Sequence, residues 1–156
     1  TQPPEEIKKM RKLLIAATLS LVGAAVAGEM ATPDEAKAMS QKAQAAVNEM
    51  GSEKAFATFA ADDGGFKEKD LYVFCMDMEG VMLSHAVKPE LVGKNLIDFN
   101  KYGDELFKNM IAVSTGAGEG WVDYKWPYPG TDEIRDKTSY VMTNKEGFFC
   151  GVGAYK

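Results

Sequence analysis

The spacing of apolar residues changes character along the chain, and each change marks a different element. Residues 11–27, RKLLIAATLSLVGAAVA, place Arg11 and Lys12 before a mostly apolar run from Leu13 to Ala24, followed by the small residues Ala25, Val26 and Ala27. A basic start, an apolar stretch of roughly a dozen residues and small residues at its end form the pattern of an export signal; the run is short for a membrane span. Residues 1–27 are therefore read as a signal peptide cleaved after Ala27, with the periplasm as destination, and residues 28–156 as one domain. Residues 1–9 stand awkwardly before the basic start. Met10 is read as the initiator and 1–9 as a mis-assigned extension, because Glu5 and Glu6 can be encoded by a sequence resembling a bacterial ribosome-binding site.

From Thr32 the period becomes helical. Ala36, Met39, Ala43, Ala46, Val47 and Met50 recur at spacings of three and four. Thr32 can cap this helix, Pro33 suits its first turn, and Asp34 and Glu35 complement its dipole. Gly51 stops it and Ser52 opens a second, shorter helix toward Ala60. From Leu71 the period shortens to that of strands. Leu71–Met78 and Val81–Ala86 read as a hairpin around Glu79-Gly80, and Pro89–Asn100 as loop. Tyr102–Ser114 reads as a helix, followed by strands at Trp121–Trp126, Thr138–Thr143 and Phe148–Tyr155. The prediction is an α+β domain: N-terminal helices, then a five-stranded antiparallel sheet with one helix inserted. The first and last strands are the least polar, which places both inside the sheet.

Composition narrows the function. The 156 residues are 46% hydrophobic, enough for a core without staples, and the net charge is −5 with no basic block. That balance excludes a nucleic-acid footprint. One histidine and two distant cysteines exclude c-type haem attachment, a thioredoxin-like site and a four-cysteine zinc site. Phosphate-binding glycine loops are absent from the sequence, and no nucleophile–base constellation is visible. The nine methionines are scattered and read as core filling rather than a copper site. The expectation is no enzyme, no metal and no cofactor.

Five segments then carry a family resemblance. LYVFCMDMEGVMLSHAVKPELVGKNLIDF at 71–99, the helix at 102–115, GEGWVDYKWPYPGT at 118–131, KTSYV at 137–141 and GFFCGVGAYK at 147–156 together resemble the single Cache domain of bacterial extracellular sensors, in its second single-domain subtype. The resemblance implies a PAS-like five-stranded antiparallel sheet, with a small-ligand pocket between the sheet and the segments inserted between its second and third strands. It also implies a ligand such as acetate, propionate, lactate or pyruvate, and a membrane receptor or kinase as partner. The long N-terminal helix offers a homodimer surface. Because the sequence ends at Lys156, directly after the last strand, the expectation is a freestanding exported binding module without its own output domain. The alternative is a structural or protein-interaction domain with an empty pocket.

A small organic anion needs a cation or several donors in an apolar pocket. The candidates are His85, Tyr124, Lys125, Trp126, Lys137 and Tyr140. Alternation puts Tyr124 and Trp126 on one face of their strand and Lys125 on the other, and leaves open which face meets the ligand. Lys137 and Tyr140 are three residues apart, so a regular strand turns them to opposite faces. His85, near the pocket-side loop, can donate a hydrogen bond and is expected to become cationic in mild acid. Cys75 and Cys150 lie on strands that the implied fold makes neighbours. A disulfide and two separate buried thiols both remain open.

Overall fold

The computed structural model describes residues 29–156; the expected signal peptide, its expected extension and the expected cleavage after Ala27 lie outside them. Helices α1 (Pro33–Met50) and α2 (Ser52–Ala60) come first, then strands β1 (Val73–Met76) and β2 (Met82–His85). A 3-10 turn at Pro89–Leu91 and helix α3 (Leu106–Gly116) follow, then β3 (Glu119–Pro127), β4 (Ile134–Thr143) and β5 (Phe149–Tyr155). All sheet pairings are antiparallel, in the order β2-β1-β5-β4-β3. The two least polar strands, β1 and β5, are adjacent and interior.

Helix α1 starts where its chemistry says it should. The Thr32 hydroxyl accepts from the Glu35 N–H at 3.2 Å, and the Glu35 carboxylate accepts from the Thr32 N–H at 2.8 Å. This reciprocal cap satisfies two N–H groups that the helix leaves free. The apolar stripe packs on β4 and β5, joined by Ser40 donating to the Tyr140 carbonyl at 2.8 Å and Gln44 to that of Thr143 at 2.8 Å. Met50, expected in the stripe, lies exposed at its end. The β1–β2 hairpin is tied by Asp77, whose Oδ1 accepts from the N–H groups of Glu79 and Val81, both at 2.9 Å. Gly80 supplies the positive φ of 97° that the turn requires.

Several boundaries differ from the sequence reading, those of the third helix and of the third and fourth strands most informatively. Helix α3 begins at Leu106 rather than Tyr102, because Gly103 takes a φ of 93° and breaks the helical path. β3 begins at Glu119, and β4 begins at Ile134 rather than Thr138. Residues 134–136, exposed or half-buried, look like loop by composition but pair with residues 125–127 of β3.

The sheet separates two cores. On one side Val73, Cys75, Cys150, Val152 and Ala154 pack under α1 and α2. On the other Phe74, Met76, Phe149, Val141, Val122, Tyr124 and Trp126 pack under α3. Cys75 and Cys150 are direct cross-strand partners and form a disulfide on the α1 side, so of the two arrangements left open the bonded one is found. Among the described residues no helix is long and apolar enough to cross a membrane.

Candidate functional site

On the α3 side, a small cavity lies between the sheet and the elements inserted between β2 and β3. About 10 Å³ of it is accessible to the centre of a water molecule, which is room for roughly one water. Tyr72, Phe74 and Met82 come from the β1–β2 hairpin and its approach, and His85 from the end of β2. Tyr124 and Trp126 come from β3, and Leu106 and Phe107 from the first turn of α3. A cleft of about 270 Å³ between residues 87–90 and 127–132 shares Tyr72 and Trp126 with the cavity and opens to solvent.

His85 closes β2 and is 5% exposed. Its Nδ1 accepts from the backbone N–H of Lys88 at 2.8 Å and of Val87 at 3.3 Å. A neutral imidazole whose Nδ1 accepts must carry its proton on Nε2, so the ring offers a donor. Burial, with the nearby charges of Lys137 and Lys88, lowers its pKa to about 3. The ring therefore stays neutral in mild acid, contrary to the expectation from the free side chain. Tyr72, Phe74 and Trp126 surround it at ring-centroid distances of 5.1, 6.3 and 6.2 Å.

Lys137 is the least expected feature. Its side chain is 1% exposed, an unusual place for an ammonium group. It sits opposite Tyr124 on β3 and Tyr155 on β5. Its Nζ donates to the Tyr72 hydroxyl at 2.9 Å and lies 4.2, 4.8 and 5.9 Å from the ring centres of Tyr72, Tyr155 and Tyr124. No described carboxylate forms a salt bridge with it. Contact with aromatic faces gives back about 0.5–2 kcal/mol, whereas burying an ammonium costs several. Desolvation wins: the pKa falls to about 7, with the field of Asp70 resisting the drop. The lysine stem fits because β5 has glycine beside it. A Cβ at Gly153 would lie 2.4 Å from Lys137 Cε and 2.2 Å from Ser139 Oγ.

The Tyr72 oxygen accepts from Lys137, so its own proton remains available to another acceptor. Burial raises the Tyr72 pKa well above the ordinary value, which keeps that proton in place. Tyr124 is anchored through its hydroxyl to Ser139 Oγ at 2.7 Å, and Tyr155 donates to the Pro127 carbonyl at 2.7 Å. The cavity thus offers two neutral donors in an apolar enclosure, with a titratable amine one hydrogen bond behind its wall.

Of the six sequence candidates, the structure brings together His85, Tyr124, Trp126 and Lys137. It does not bring in the other two. Lys125 points to solvent on the outer face of β3, its Nζ 3.9 Å from Asp136. Tyr140 lies on the α1 side, packed edge-on to Trp121 at 5.1 Å, with its hydroxyl on Glu119 and Lys37 over its ring at 4.8 Å. Strand alternation separates both from the cavity. Sequence reasoning missed Tyr72, Phe74, Met82, Leu106 and Phe107. The first three sat within the predicted hairpin, but only the pairing register shows which of its residues face α3.

Comparison with known proteins places this geometry. The family dCache_2, a Cache domain, matches residues 36–156. A methyl-accepting chemotaxis protein, McpP, of Pseudomonas putida is 32% identical over 90 residues, which is 56% of this chain and 16% of that protein. The sensor histidine kinase MctS of Rhizobium johnstonii is 35% identical over 89 residues, 56% of this chain and 19% of that protein. The chain thus spans less than a fifth of the length of these curated relatives. A chemotaxis protein structure from Vibrio parahaemolyticus superposes with a TM-score of 0.65 at 26% identity, covering 78% of this chain and 86% of that one. A Cache chemosensory domain solved for carboxylic acid recognition superposes with a TM-score of 0.62 at 27% identity, over 78% and 86% of the two chains. Domains of this kind are extracellular or periplasmic sensory modules of chemoreceptors and histidine kinases. With a five-stranded PAS-like sheet, a cavity under its inserted helix and the family match over most of its length, this chain belongs to the Cache domain family.

Proposed function

We propose that this chain is an exported sensing module whose cavity binds a short carboxylate, with a membrane receptor or kinase as its partner. The observation that carries the reading is Lys137: a fully buried amine without an acidic partner among the described residues, set behind two neutral donors. Such a group is costly to the fold, and an anionic ligand relieves the cost. The carboxylate accepts from His85 Nε2 and the Tyr72 hydroxyl, and its charge holds Lys137 in the ammonium form. Its short tail rests on Phe74, Met82, Leu106 and Phe107. The neighbour solved for carboxylic acid recognition supports the same class of ligand.

Thermal-shift titration with acetate, propionate, lactate and pyruvate tests this. Saturable stabilisation is expected, about 2.7 kcal/mol at a hundredfold excess over Kd. Lys137→Met should abolish the response while raising the basal melting temperature, since it removes an unpaired buried amine. Affinity should weaken about tenfold per pH unit above 7, where the free protein has lost the proton that the complex needs. No response to any of the acids, with no acid released on unfolding, would favour an interaction domain with an empty pocket.

A further inference from the structure

The cavity's size is controlled from beneath the sheet surface. Phe74 on β1 is a direct cross-strand partner of Gly151 on β5, which is itself opposite Val141 on β4. The tip of the Phe74 ring lies over the glycine. A Cβ at Gly151 would fall 2.6 Å from Phe74 Cζ, 2.9 Å from Cε1 and 3.1 Å from Val141 Cγ1. The first two distances are inside any tolerated contact, so the ring has to move if residue 151 carries a side chain. The backbone is below it, Phe149 stands edge-on at a centroid distance of 6.5 Å, and His85 flanks it at 6.3 Å. A methyl group at 151 therefore lifts the ring toward Leu106 and Phe107, into a space that holds roughly one water.

We infer that Gly151 and Phe74 act as a depth stop: the glycine lets the ring lie low, and the ring's upper face sets the longest tail the cavity takes. Neither residue offers a polar atom to the ligand, so they govern tail length and leave the carboxylate end alone. This rests on the carboxylate reading above, and it restricts the ligand to the shortest members of that class.

The test is calorimetric titration of acetate, propionate, butyrate and valerate against the wild type, F74L, G151A and the double variant G151A/F74L. In the wild type, affinity should fall steeply beyond propionate. F74L should move the preference toward the longer acids, with about tenfold tighter butyrate relative to acetate. G151A should weaken every acid by about tenfold or more, and F74L in the same chain should restore binding by removing the clash. If G151A does not fold, F74L alone decides the matter. A wild type that binds, with an F74L chain-length profile that does not move, overturns the depth stop and leaves the carboxylate site standing. A wild type that binds none of the four acids overturns the depth stop, and one that binds neither lactate nor pyruvate as well overturns the carboxylate reading. A shifted F74L profile with restored binding in the double variant supports the assignment.

Discussion

His85 is the residue whose chemistry depends most on where the fold puts it. In the unfolded chain it takes a proton near the ordinary pKa of 6.5, whereas in the folded chain it resists until about 3. Between those values the unfolded state binds more protons, so this histidine's contribution to stability is complete above about pH 6.5 and is lost as the pH falls through the window. At pH 5 the loss is about 2 kcal/mol. His85→Gln, which retains a donor without the titration, should flatten the acid limb of a plot of melting temperature against pH. A limb equally steep in the variant would mean that other groups drive it. Lys137 shows the same physics from a higher starting point: burial disfavours its cation as it disfavours that of His85, and on the proposed reading a bound anion would offset that cost. Cys75, by contrast, is chemically silent within its bond and acts only on the backbone.

At the scale of elements, α1 shows how much of the fold was legible in the letters. Thr32, Pro33 and Glu35 announce its start, Gly51 its end, and its stripe predicts the buried face apart from Met50. Thr32→Ala should cost about 1 kcal/mol in urea unfolding, with no change in ligand affinity, because the cap lies on the side of the sheet away from the cavity. The strands were legible as elements and less so as edges. Ile134, Arg135 and Asp136 are exposed or half-buried and show no burial pattern of a strand; only their partners on β3 make them one. The site was half legible for a related reason. Alternation says that Tyr124 and Trp126 share a face, and that Lys137 and Tyr140 do not. It does not say which face receives α3, because that depends on how a later helix returns over an earlier sheet. Tyr72 and Phe74 became site residues only through that return.

For the whole molecule, the sheet is a partition, with the disulfide and the N-terminal helices on one side and the cavity on the other. The disulfide joins β1 to β5 across 75 residues of sequence, a closure that stabilises by about 3–5 kcal/mol in the chain-entropy account. The double substitution C75A/C150A should lower the urea midpoint accordingly. The ligand response should persist below the new midpoint, since the bond faces α1 and the cavity faces α3. Loss of binding while the fold remains intact would show that the two faces are coupled. The adjacency of Phe74 to Cys75, and of Cys150 to Gly151, has a consequence for descent. On the proposed reading, neighbouring codons hold opposite obligations, one to the integrity of the scaffold and the next to the choice of ligand. A lineage can therefore explore new chemical tastes by single substitutions at the second kind of position while the first kind is held constant, and diversification within such a group should leave the cysteines in place as the residues beside them drift.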